Sequence, residues 1–363
     1  MKRKTLLLVF IIGGVACSKN NNNYGSGGNG GTPVTPGANF AQTNIVSDVA
    51  GNGASVIDPT LQNAWGIAIN PAQGIIWIAS NHGGVADIYD ETGKTLLAPV
   101  PVPTAGAATG GSPTGVVFNS TSDFTIPGET APTKFIFVNE DGTISAWALG
   151  AASAKKVADL STLNRVYKGC AIAADGAANY LYAANFKGGS IDVFDRSFQL
   201  VSGRDFKDPS IPAGFGPFNI TNIGGKLYVT YAKLQGPDNE DDQAGPGNGY
   251  VDIFTPDGRL VKNFASNGPL NSPWGIAQVP DGFGVERHSI LIGNFGDGWI
   301  NVYDSTGVYK GALQKNGQPV VIGGLWALDF PVNEFPQADP GKLYFTAGPD
   351  GEQHGVFGYL KKQ

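Results

Sequence analysis

Short apolar runs recur along this chain in a fixed order, broken by turn-forming Gly, Asn, Asp and Pro. From residue 64 onward that order repeats about every 50 residues. Six copies open alike, with a small or aromatic residue followed by a short apolar stretch. They are Ala64-Trp65-Gly66-Ile67-Ala68-Ile69, Ser112-Pro113-Thr114-Gly115-Val116-Val117, Tyr167-Lys168-Gly169-Cys170-Ala171-Ile172, Gly216-Pro217-Phe218-Asn219-Ile220, Ser272-Pro273-Trp274-Gly275-Ile276-Ala277 and Gly324-Leu325-Trp326-Ala327-Leu328. A second run follows at 75–79, 135–138, 180–184, 226–230, 290–292 and 342–346. After a Gly-containing turn comes a third run at 85–89, 143–147, 190–194, 249–254, 299–303 and 354–359. Copies one, three, four and five then show a further turn, such as Asp90-Glu91-Thr92-Gly93, Thr255-Pro256-Asp257-Gly258 or Asp304-Ser305-Thr306-Gly307, and a fourth strand.

Four short antiparallel strands with their turns use roughly 40 to 50 residues, the length of one propeller blade. A sandwich would not recur in phase six times, and a β-helix coil is much shorter. The pattern therefore predicts an all-β, six-bladed β-propeller with four-stranded blades. Copy six supplies only three strands before the chain ends, while an unmatched run, Phe40-Ala41-Gln42-Thr43-Asn44-Ile45-Val46, lies ahead of copy one. We expect this N-terminal strand to close the last blade and remove two open sheet edges.

Composition agrees with this class. The 363 residues include 53 Gly and 24 Pro, yet 41% are hydrophobic, enough for a large core. The net charge is −6 and no basic stripe follows the first few residues, so nucleic acid is not an expected partner. Residues 1–16 read as a lipoprotein signal peptide: Lys2, Arg3 and Lys4 precede a short apolar stretch that ends in Gly14-Val15-Ala16-Cys17. Cys17 is the expected lipidation site. Residues 17–38 form an Asn/Gly/Ser/Pro tether, and 39–363 the propeller domain. Ser18 after the cysteine points to the outer membrane of a cell envelope, with the lipid anchor as the membrane partner. Cys170, the remaining cysteine, stands in an apolar run and reads as a small buried hydrophobe.

The inner-strand openings and the second-to-third turns fall on one face of a propeller, around its channel. Candidate ligand-binding residues at that mouth are Trp65, Lys168, Asn219, Trp274 and Trp326 from the openings. From the turns come Asn81, His82, Asn139, Glu140, Asp141, Asn185, Asn294, Asp297, Asp350, Glu352 and His354. Asn81, Asn139, Asn185 and Asn294 are expected at matching positions. Asn in a tight turn caps backbone N–H groups, whereas a ring of amide and carboxylate oxygens would suit Ca²⁺. The three tryptophans serve either as core or as a stacking platform for a flat ligand such as a sugar. Copy four carries an insertion in which Asp238, Glu240, Asp241 and Asp242 cluster, either as a solvated loop or as a Ca²⁺ site. His82, Glu352 and His354 fall on neighbouring blades, and His288 on an outer loop.

The blade pattern resembles the NHL-like propellers. The stretches Gly225-Lys226-Leu227-Tyr228-Val229-Thr230-Tyr231, Gly293-Asn294-Phe295-Gly296-Asp297-Gly298 and Leu343-Tyr344-Phe345-Thr346-Ala347-Gly348-Pro349-Asp350-Gly351 look most like a family of uncharacterised exported bacterial propellers. The resemblance implies the fold and export, and no activity. No Walker loop, dinucleotide fingerprint, nucleophile elbow or His-Glu-x-x-His appears in the sequence. The expected function is that of a monomeric, envelope-anchored module that binds a glycan or protein ligand. The alternative is a Ca²⁺-dependent lactonase- or lyase-type enzyme with its site at the channel mouth.

Overall fold

The computed structural model describes residues 38–333 and 338–363, so the signal, the lipidation site and the tether up to residue 37 lie outside the described residues. The described chain forms six blade sheets of short strands, arranged as a β-propeller, and a separate two-stranded hairpin of Gln314–Lys315 and Gln318–Pro319. Their innermost strands, in chain order, are Ala64–Asn70, Pro113–Phe118, Tyr167–Asp175, Phe215–Ile223, Pro273–Gln278 and Leu325–Asp329. Blades one to five run outward in sequence order through four strands each. Blade two has its outer strand too, Lys155–Asp159, paired with Thr143–Trp147. The turn pattern did not mark it, because no Asp-x-x-Gly precedes it and its Lys-Lys-Val-Ala-Asp segment is half polar and largely exposed.

Blade six is completed by the N-terminal strand, as the pattern predicts. Phe40–Ser47 lies antiparallel to Val356–Lys362, from Phe40 opposite Lys362 to Ser47 opposite Val356, with the register shifting once between Asn44 and Val46. A two-residue strand, Val56–Ile57, adds outside it in parallel. Phe40 and Val46 are fully buried in this latch.

The apolar core sits between blades. Six buried clusters each join one sheet to the next, and the cluster between blades six and one closes the circle through Ile45, Phe357, Ile76 and Tyr89. This arrangement explains why second strands read as unbroken apolar runs. In blade five, Ile290 and Ile292 pack toward blade four, while Leu291 packs toward blade six. Both faces of each sheet are covered, so period-two alternation between apolar and polar is lost.

Near the axis the inner strands crowd together, and this accounts for the repeated glycine. A Cβ on Gly66 would lie 2.5 Å from the Thr114 carbonyl oxygen, one on Gly115 2.7 Å from the Cys170 nitrogen, and one on Gly275 2.6 Å from the Trp326 carbonyl oxygen. Each glycine therefore lets the next blade's backbone approach.

Candidate functional site

All six inner strands share a second feature. Pairing between the first and second strand shifts register at the same place in every blade: after Ala64, Pro113, Tyr167, Pro217, Pro273 and Leu325. Such a bulge releases the next residue from the ladder and re-aims it. Those residues are Trp65, Thr114, Lys168, Phe218, Trp274 and Trp326, one per blade, and none is more than 5% exposed. Trp65, Phe218, Trp274 and Trp326 pack with Phe186 and Phe295 from the second-to-third turns into one apolar plug at this end of the channel. Lys168 lies over Trp65, and Thr114 donates to the Val138 and Tyr167 carbonyls.

Trp326 is the centre of the plug. It stacks on Trp65 at a centroid distance of 3.6 Å and on Phe295 at 3.9 Å, with Phe218 and Trp274 set edge-on at 5.9 and 6.1 Å. Its indole N–H donates to Asn63 Oδ1 at 2.9 Å, and that of Trp274 to the Lys168 carbonyl oxygen at 3.0 Å. Each of the three tryptophans expected at the mouth thus packs against the other rings.

Polar residues crown this plug. Lys168 Nζ, buried over the Trp65 ring, donates to Glu140 Oε1 at 2.5 Å and lies 3.4 Å from Asp241 Oδ1. Asn81 donates to Glu140 Oε2 at 3.0 Å, and Asn63 donates to Glu352 Oε2 at 2.7 Å. Burial acts to raise the Glu140 carboxyl, but the Lys168 ammonium and the Asn81 amide outweigh it and hold it below its ordinary range. Burial works against the charged form of Lys168 as well, but Glu140 outweighs it, so the ammonium persists. Glu352 is raised by burial, and Asp242 is raised for the same reason despite the nearby Lys168.

The remaining expected site residues have local roles. Asn139 donates to Thr143 and Ser145, Asn185 donates to Ser190 and accepts from the Gly188 N–H, and Asn294 donates to the Pro269 carbonyl and to Asp297. Asn81 does not match them. Ser80 occupies the pairing position of Asn139, Asn185 and Asn294, and Asn81 stands one residue further on, level with Glu140, Phe186 and Phe295. The sequence placed it one residue out of register because its copy has Asn-His-Gly-Gly where the others have Asn earlier in the turn. Asp141 accepts from Thr143 and the Ala105 N–H, and Asp297 from Asn271 and the Trp299 N–H. Asp350 and His82 are exposed. His354 Nδ1 bonds Asp48 at 2.8 Å, so it turns to the latch strand's end and not toward Glu352. His288 is exposed, in the loop before the second strand of blade five.

The acidic insertion is divided among lysines. Glu240 pairs with Lys187 at 2.7 Å, Asp241 faces Lys168, Asp242 is half-buried with its Oδ2 shielded and unpartnered, and Asp238 is exposed. Among the described residues no group of three or more His, Cys, Asp or Glu side chains is placed to hold a metal ion.

Below the plug the axis is open. A cavity of about 470 Å³ is lined by the inner strands of all six blades and reaches Pro71, Ser120 and Asn222, at the opposite, first-to-second-turn face. Its wall carries Ile67, Val116, Ile172, Ile220, Ile276 and Leu328, together with Asn219, Thr221, Cys170 and Asp329. Of the residues expected at the mouth, only Asn219 and Trp274 border it. Asn219 fills the place that glycine holds in four other blades, and its amide donates to the Trp274 carbonyl at 2.9 Å. Burial pushes the Cys170 thiol up, which keeps it neutral. No sequence signal pointed to this end, because its wall is made of backbone and ordinary aliphatic side chains.

Two uncharacterised proteins of Acanthamoeba polyphaga mimivirus are 34% and 33% identical to the chain over 325 and 323 residues. The matches cover 86% and 85% of this chain and 78% and 82% of theirs. The chain belongs to their family. These relatives are viral, where the sequence led us to expect bacterial ones. No protein-family model matches it, so the likeness to NHL-like propellers narrows to the six-bladed architecture. Solved structures agree on that fold. A Bacteroides thetaiotaomicron protein of unknown function superimposes with a TM-score of 0.56 at 12% identity, covering 89% of this chain and 76% of that one. The soluble aldose sugar dehydrogenase of Escherichia coli gives 0.53 at 15%, covering 89% and 100%, and a streptogramin B lyase 0.51 at 13%, covering 89% and 97%.

Proposed function

We propose that this propeller is a binding module, and that its ligand is a small molecule held in the axial cavity. The observation that carries this reading is a channel plugged at one end by packed aromatic side chains and open at the other into about 470 Å³. That volume falls in the range of small-molecule sites, and such sites are mostly apolar with a few placed polar groups. Walls drawn from six rigid sheets are preformed, which lowers the ordering cost of binding. Trp65 and Trp326 stack on each other within the plug, which leaves Trp274 as the one mouth tryptophan that borders the cavity.

The Gly14-Val15-Ala16-Cys17 stretch supports attachment of the chain to membrane lipid at Cys17, which would present the module on an envelope surface.

The test is protein-observed NMR with benzyl alcohol, a neutral probe that fits the cavity. Shifts centred on Ile220, Ile276 and Leu328 are expected. Absence of shifts, or shifts confined to the crowned face around Glu140 and Glu352, would overturn the assignment.

A further inference from the structure

The cavity wall is uneven in charge. Among its described lining residues Asp329 is the sole carboxylate, and there is no lysine, arginine or histidine. Asp329 is the last residue of the innermost strand of blade six, opposite Tyr344, and its carboxylate accepts the Phe330 N–H. The surrounding wall is aliphatic on several blades. Resting on the cavity assignment above, we propose that the ligand is a small organic cation, a primary or secondary amine on an apolar body, with Asp329 as its counter-ion.

The physical argument is complementarity. Asp329 is half-buried against this apolar wall, and a carboxylate partly shielded from water is costly to ionise without a partner. Burial accordingly pushes the Asp329 carboxyl up to about 7. An ammonium group entering the cavity supplies the missing opposite charge, while its apolar body takes the place of water against Ile220, Ile276 and Leu328. An anionic ligand would meet like charge and no basic group, so the same wall selects against carboxylates and phosphates.

Three probes of one size separate the terms: benzylamine, benzyl alcohol and benzoate, titrated calorimetrically into the full chain at pH 7.5. Benzylamine is expected to bind at least tenfold more tightly than benzyl alcohol, and benzoate more weakly than either. In Asp329→Asn the amine is expected to fall to the level of the alcohol, with alcohol binding unchanged. Should that variant fold poorly, Asp329→Ser serves, and the wild-type ranking decides by itself. Equal affinities, a preference for benzoate, or an amine advantage that survives loss of the carboxylate would overturn the proposal and leave the cavity assignment standing. Failure of all three probes to bind would overturn both.

Discussion

Removing Trp326 tests whether the six bulged residues hold the ring together at its axis. The indole is 1% exposed, lies between Trp65 and Phe295, and satisfies Asn63 through its N–H. Truncating a buried Trp to Ala costs about 3–5 kcal/mol in lost transfer and cavity. Leaving Asn63 Oδ1 without its donor adds about 1–3 kcal/mol, at the low end because the opened channel admits water. Trp326→Ala is therefore expected to lose about 4–6 kcal/mol, and Trp326→Phe, which keeps an aromatic ring between its neighbours, about half of that or less. Equilibrium urea unfolding followed by far-UV circular dichroism reads both. A cycle with Phe295→Ala should return a coupling of about 0.5–1.5 kcal/mol for the stacked pair. A loss below about 2 kcal/mol for Trp326→Ala, with additive effects in the cycle, would refute the plug as a source of stability.

Three further outcomes follow from the same geometry. Burial raises Asp87 to about 6, against hydrogen bonds from Ser80 and Thr60, and raises Asp252 to about 7 beside Asp208. The folded state thus binds protons at these two sites that the unfolded chain has released, so their contribution to stability is full below about pH 4 and is lost as pH rises to about 7. Each site contributes a few kcal/mol on the order of 1.4 kcal/mol per pH interval traversed; Asp87→Asn should flatten the slope between pH 4 and 6, and an unchanged slope in thermal melts would contradict it. Gly115→Ala drives a methyl into the Cys170 and Gly169 backbone, which cannot swing aside, and should cost about 1–3 kcal/mol in the same urea assay, whereas a neutral effect would show that the blades stand further apart than described. Expressed in Escherichia coli with its own amino terminus, the chain should incorporate labelled palmitate and lose it in Cys17→Ala; label retained in the variant would dismiss lipidation at that residue.

Much of the architecture was legible because each strand is announced locally. The third strands Val85–Tyr89, Thr143–Trp147, Ser190–Phe194 and Gly249–Phe254 fall where the apolar runs end. The latch was readable from a surplus strand at one end and a missing one at the other. The site was less legible, since its features depend on contacts remote in sequence. Lys168 and Asp241 meet across 73 residues, and nothing in either segment announces the other. A bulge adds one residue on one strand without altering composition, so Trp65, Lys168, Trp274 and Trp326 looked like an exposed mouth. The one-residue offset of Asn81 arose for a related reason: Asn-containing turns look alike until pairing fixes which residue ends the strand.

The latch of Phe40–Ser47 against Val356–Lys362 also bears on how the molecule is made. Ser47 donates to the Gly355 carbonyl across 308 residues of chain, so the latch strand, made before blade one, waits for the last strand of blade six. Closing so long a loop carries a large entropic cost before any contact compensates it, and topologies rich in such contacts fold slowly. Until then blade six presents an unpaired strand edge, which a neighbouring nascent chain can cap with its own Phe40–Ser47. An exchange of that strand between two copies is the characteristic assembly error this ring invites, and concentration during refolding would govern how often it occurs.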